Sequence, residues 1–200
     1  MHSILCLLGL IGHVLAIVPS TQEREEIVAK FTHVRQNVNP PASNMNLLTY
    51  SEGLEKQAAS YASRCLFQFP PPNMYPELVN TGMLLQITSN PKLRFQGVAY
   101  FAKQAKNYDY EGNSCKGGCR LYKQMVWAAS TEVGCAKAKC PGKKRKEVHF
   151  MACAFNHGGT NLDERPYAKG VSCSNCRQGA VCLHNQCASA QEQNTTTLAT

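Results

Sequence analysis

The chain has 200 residues, with 21 Lys and Arg against 13 Asp and Glu for a formal charge of +8, and it carries eleven cysteines among 44% hydrophobic residues. That apolar share excludes a disordered or collagen-like chain. No stretch beyond the N-terminal segment approaches the roughly 20 apolar residues of a membrane-spanning helix.

Residues 1–16 read as a removable leader. The run from Ile4 to Val18 is apolar apart from glycine and His13 and holds no Asp, Glu, Lys or Arg, so the charge survives its removal. Val14-Leu15-Ala16 offers a small-residue cleavage site and Val18-Pro19-Ser20 a second, so the leader ends at 16 or at 20. Cys6 leaves with it, and the ten remaining cysteines are an even set suited to disulfides in an oxidising compartment. Zinc is the rival use of Cys173 and Cys176, but a single Cys-x-x-Cys unit favours disulfides. The remaining chain of about 180 residues is long enough for one substantial core, with room for a small appendage.

Ser20 and Glu23 have capping-box spacing, and Ile27, Phe31, Val34 and Val38 follow at helical intervals until Asn39-Pro40-Pro41. A second helix is predicted from Ser51 with Leu54, Ala58, Tyr61 and Cys65 on one face, stopping before Pro70-Pro71-Pro72. Pro76 and Glu77 open a third, extending to about Ser89, and a fourth follows Pro91 with Phe95, Val98, Ala102 and Ala105 as its stripe. These aromatic stripes read as core. From Val133 the period drops to two, with Ala136, Ala138 and Cys140 on one face and Cys135, Lys137 and Lys139 on the other. Val148 to Phe155 reads as the return strand, apolar enough to be central. Helices followed by a short antiparallel sheet predict an α+β chain built as a three-layer α/β/α sandwich.

Between the two strands, Lys137, Lys139, Lys143, Lys144, Arg145 and Lys146 fall close together without an acid. Lys143, Lys144, Arg145 and Lys146 are the candidate contacts for an acidic glycan, against the plainer reading of a solvated hairpin tip. Secretion makes nucleic acid an unsuitable partner. The segment 188–200 is polar and disorder-prone and contains the sequon at Asn194.

Four stretches in order resemble the CAP superfamily of cysteine-rich secretory proteins, venom allergens and plant pathogenesis-related proteins. They are Pro40 to Met45, the helix ending from Ala58 to Cys65, Tyr122 to Trp127 with Val133-Gly134-Cys135, and Phe150 to Cys153 with Asn161. The resemblance covers roughly residues 22–187 and implies the same sandwich as a CAP domain over 22–166, then a cysteine-rich hinge over 167–187. It also implies the pairs Cys65 with Cys140, Cys135 with Cys153, Cys115 with Cys119, Cys173 with Cys182 and Cys176 with Cys187.

Members of the family place two histidines and two glutamates in a central cleft that can hold a divalent cation. Here the matching positions carry Phe69, Leu121 and Gln104, and Val79 to Leu84 supplies no acid, neither Thr81 nor Met83 restoring one. The resemblance therefore implies a degenerate cleft with no metal, no cofactor and no catalytic residues, because neither a general base nor an activated water has a holder. Glu77, His149 and His157 are left over, and the histidines read as structural. The loop after Cys153 departs from the family pattern by an extra residue around His157. The function that the resemblance implies is a secreted, non-enzymatic, venom-allergen-like protein that binds a lipid or sterol, or an extracellular or host protein, with immune modulation as the role of venom and parasite members. Glycan binding through the basic hairpin is the alternative. Ion-channel blockade, the role of some venom relatives, ranks low because no cysteine follows Cys187.

Overall fold

A computed structural model describes residues 14–71, 74–90, 93–142, 146–158 and 163–192. After the short strand β1 (Ala16–Ile17), helix α1 runs over Thr21–Gln36. Ser20 caps it reciprocally with Glu23: the Glu23 N–H donates to Ser20 Oγ at 3.3 Å and the Ser20 N–H to Glu23 Oε2 at 2.9 Å. β2 (Thr49–Tyr50) leads into α2 (Glu52–Ser63), whose cap is Ser51. α2 ends seven residues before Pro70, so Cys65 lies beyond it rather than on its face.

The third expected helix is not there. A single 3₁₀ turn, Pro76–Leu78, gives way to strand β3 (Gly82–Thr88), which pairs antiparallel with a later strand from Gly82 opposite Phe155 to Thr88 opposite His149. Gly82 disfavours a helix interior, and the β-branched Ile87 and Thr88 suit a pleated surface. The fourth helix exists over Phe95–Asn107 but is wound as a 3₁₀ helix. With three residues per turn, positions three apart eclipse, so Phe95, Val98 and Phe101 are the buried stripe in place of the 3.6-period set.

Strands β4 (Tyr108–Asp109) and β5 (Ser114–Cys115) form a small hairpin, followed by α3 (Arg120–Met125). The long antiparallel pair is β6 (Glu132–Pro141) and β7 (Glu147–Phe155). The main sheet runs β1-β6-β7-β3, with β2 added parallel to β6, so β7 is interior as its apolar run suggests.

The sheet separates two cores. On one side α1, the 3₁₀ helix and α3 pack Ile27, Phe31, Phe95, Val98, Phe101 and Met125 onto Cys135, Met151, Cys153 and Phe155. On the other, α2 packs Leu54, Ala58 and Tyr61 onto Ala136, Ala138, Phe150 and Ala152. This is the α/β/α sandwich. α2 lies so close to β6 that a Cβ on Gly134 would run into the Glu55 amide and the Ser51 carbonyl. Disulfides join Cys65 to Cys140, Cys115 to Cys119 and Cys135 to Cys153.

The C-terminal cysteine module carries β8 (Val181–Leu183) and β9 (Gln186–Ala188), with Cys173 joined to Cys182 and Cys176 to Cys187. It is stitched to the sandwich rather than appended: the Cys187 N–H donates to the Met45 carbonyl at 2.6 Å, and the Leu47 N–H to the Cys187 carbonyl at 2.9 Å. Ala188, one residue past the expected end of the hinge, is 1% exposed and pairs with Val181, and Ser189 then caps a turn with Glu192.

Arg35 on α1 is 1% exposed and donates to the carbonyls of Asn46, Met125, Trp127 and Ser130 at 2.8–3.1 Å. Replacing it by leucine leaves those acceptors without their donor, and Arg35→Leu is expected to cost about 3 kcal/mol or more in chemical denaturation. The Tyr61 hydroxyl donates to the Gln68 carbonyl at 2.6 Å, and burial, then Tyr75, pushes the phenol up to about 12. The ordinary phenol value is about 10, so this contribution to stability is complete below pH 10 and is lost as pH climbs through 12. Tyr108 is pushed up similarly, to about 12. Melting temperatures followed across that window should therefore fall less steeply for Tyr61→Phe than for the parent chain.

Candidate functional site

Of the positions singled out from the sequence, Phe69 lies in the core on the α2 side of the sheet, while Gln104 and Leu121 meet on the other side at the first turn of α3. Cys119, the residue ahead of it, makes no side-chain cap. Gln104, projecting from the 3₁₀ helix, does so from outside: its Oε1 accepts the Leu121 N–H at 2.9 Å and the Tyr122 N–H at 3.4 Å. The side-chain oxygen of Gln104 is thus engaged with backbone. Leu121 is half-buried against the core that includes α1. Phe69 packs from the other side of the sheet, in the α2 cluster that also holds Met83. What links the two sides is Arg120, whose guanidinium lies 4.4 Å from the centre of the Phe69 ring. Cation–π geometry of this kind stabilises the pair and holds a positive charge over Phe69.

α3 itself is seated against β3, because the Gln124 side chain fills the space that a Cβ on Gly82 would occupy. Among the described residues no three His, Cys, Asp or Glu side chains come close enough to share an ion. Glu77, the acid left over nearby, is paired with Arg64 at 2.7 Å. Its carboxyl is held below the usual range by its own backbone N–H and by Arg64. His149 is buried on β7 opposite Thr88 and Lys139, and the His157 carbonyl accepts from Ser130 Oγ at 3.4 Å. Thr81 precedes β3, outside the Gln104 contacts. A recess of about 210 Å³ opens elsewhere, lined by Asn46, Thr49, Thr131, Glu132, Arg177 and Glu192.

The basic hairpin is divided. Lys137 is taken up inside, its Nζ donating to the Leu93 carbonyl at 3.3 Å and lying 4.4 Å from the Phe95 ring centre. Lys139 is exposed and 3.8 Å from Glu147, and Lys146 is exposed. Lys143, Lys144 and Arg145 lie outside the described residues, as do Asn161, Asn194 and residues 1–13 of the leader. The irregular stretch after Cys153 has a clear local role at its start. Asn156 Oδ1 accepts the N–H groups of Thr131 and Glu132 at 2.9 and 2.8 Å, binding the end of β7 to the start of β6.

Sequence reasoning overlooked Arg120, which sits beside a position that the resemblance marked, and Arg35. For Arg35 a signal existed: it follows Ile27 and Phe31 at intervals of four, a basic residue on an apolar stripe. If Gln104 serves α3 as its cap, Gln104→Ala should lower stability by about 1 kcal/mol while Gln104→Glu, which keeps the acceptor, changes it much less. Equilibrium unfolding of the two variants checks this directly.

The family described as CAP: Cysteine-rich secretory protein family matches residues 23–155. The chain is similar to GLIPR1-like protein 1 of Bos taurus, 30% identical over 179 residues that cover 82% of this chain and 70% of that protein. It is also similar to Peptidase inhibitor 15-A of Danio rerio, 31% identical over 182 residues covering 80% of this chain and 68% of that one. Among solved structures, Schistosoma mansoni venom allergen-like protein 4 shares 26% identity and a TM-score of 0.60 over 76% of this chain and 97% of its own. The family match spans more than half of the chain, and its sandwich and cysteine module agree with it: the chain belongs to the CAP family of cysteine-rich secretory proteins.

Proposed function

We propose that this is a secreted, non-enzymatic CAP protein that acts outside the cell by binding, organised as a leader ending at 16 or at 20, a CAP domain over 22–166, a cysteine hinge over 167–187 and a polar tail. The observation that carries the reading is the chemistry at the three marked positions: Phe69 lies under the Arg120 guanidinium, Leu121 is aliphatic, and the Gln104 oxygen already accepts two backbone N–H groups. A divalent cation needs oxygen, nitrogen or sulfur ligands with charge to offer. This set offers an aromatic ring, an aliphatic side chain and an amide oxygen already accepting two backbone donors, beside a charge that repels a second cation. Hydrolysis lacks a base there for the same reason. No described helix is long and apolar enough to cross a membrane. The Danio rerio relative bears the name of a peptidase inhibitor, a class of protein that works by occupying a partner rather than by turnover.

The contact surface in this reading is an apolar fringe at the end of α2. Leu66, Met74 and Val79 are 38%, 60% and 57% exposed. The turn between Met74 and Val79 is tied back to α2 by Arg64, which pairs with Glu77 and stacks 4.4 Å from the Tyr75 ring centre. A lipid or sterol, or the apolar face of an extracellular protein, fits such a rim better than a charged small molecule does. Titration of the purified protein with labelled sterol and fatty acid, after its own lipids have been extracted and identified, should give saturable binding that Met74→Glu with Val79→Glu weakens at least tenfold. Absence of any bound species and of saturable binding removes the lipid form of the reading, and turnover abolished by a chelator overturns the non-enzymatic one.

A further inference from the structure

The two candidate ends of the leader are equivalent as sequence but not as structure. Val14 and Ala16 supply one pair of small-residue positions, Val18 and Ser20 the other. We infer that the leader is cut between Ala16 and Ile17, so that the mature chain begins at Ile17 and keeps Pro19 and Ser20; this rests on the secretion reading given above.

Three features stand between the two cuts. Ile17 pairs with Lys137 on the outer edge of β6, covering backbone groups that would otherwise be an open sheet edge. Pro19 is buried. Ser20 closes the first turn of α1 through three bonds: its Oγ accepts from the Glu23 N–H, its N–H donates to Glu23 Oε2, and its carbonyl accepts the Arg24 N–H at 2.9 Å. A cut after Ser20 removes all of these at once. It also creates an α-ammonium on Thr21, the first residue of a 16-residue helix, where the macrodipole already presents positive partial charge. A cut after Ala16 removes the pairing of Ala16 with Ala138 and the packing of the partly buried Val14 on the α2 core, but leaves the helix cap whole, and the new ammonium on Ile17 lies ahead of the cap, outside the turn on which the dipole acts. It also removes Leu15, which is 81% exposed and contributes little to the core.

The test is the N-terminus of the full chain produced in a secreting cell line, read by intact mass and N-terminal sequencing of protein from the medium. A start at Ile17 is expected. A start at Thr21, or at any other residue, overturns the inference and leaves the secretion reading standing, whereas a chain retained in the cells with residues 1–16 attached overturns both. The physical reason is tested separately with chains begun at Ile17 and at Thr21 behind a foreign leader. Loss of the cap should lower the melting temperature of the Thr21 chain by roughly 2–4 °C. Equal melting temperatures would show that the residues between the cuts do not hold α1 and would sink the argument for retaining them.

Discussion

Arg35 reaches from α1 into the interior and satisfies four backbone carbonyls that no strand or helix ladder serves: Asn46 ahead of β2, Met125 and Trp127 at the exit of α3, and Ser130 ahead of β6. Buried acceptors of this kind are costly when unpaired, and a planar guanidinium can serve several at once without a carboxylate nearby. Burial pulls its pKa down to about 9, which still leaves it charged at neutral pH. The loop that Arg35 fixes at Asn46 is the one on which the cysteine module rests, through Met45, Leu47 and Cys187. One side chain therefore sets α1, α3, the entry to the sheet and the seat of the hinge in a common frame.

Around that frame the disulfides act at different levels. Cys135 and Cys153 face each other across β6 and β7 and belong to the core on the α1 side. Cys65 and Cys140, 75 residues apart, tie the end of α2 to the far end of β6. In the loop-entropy account a closure of that length contributes about 4 kcal/mol by restricting the unfolded chain. α2 also approaches β6 closely at Gly134, where even a methyl group would meet the backbone of Ser51 and Glu55. At the other end of α2, Arg24 binds Glu52 and Glu55, and Tyr50 donates to Glu55 at 2.8 Å, so α1 and α2 are joined around the end of the sheet.

The scaffold is shared by the family, while its chemistry is set by few side chains, as is general for folds that host many functions. Gln104 is drawn into structure: its amide oxygen accepts two helix N–H groups without carrying a charge that would also attract a cation. Arg120 then supplies a positive charge from within the chain, laid on the Phe69 ring. Gln104 and Arg120 thus tie neighbouring elements together, one by capping α3 and the other by reaching the Phe69 ring across the sheet.

Local chemistry was legible in the sequence where a few adjacent residues decide it. The Ser20 and Glu23 pair starts α1, the spacing of Leu54, Ala58 and Tyr61 makes α2, and the alternation after Val133 makes β6. The ordered family motifs reached further, to the sandwich. Pairing with the open edge of β7, which is remote in sequence, made Gly82–Thr88 a strand although its apolar pattern also suits a helix. Winding at three residues per turn put Phe101 in the core, and packing across 90 residues brought Arg35 to the Met125 carbonyl. Only the tertiary structure could decide these, because their energies come from partners distant along the chain, whereas caps and periodicities draw theirs from neighbours within one or two turns.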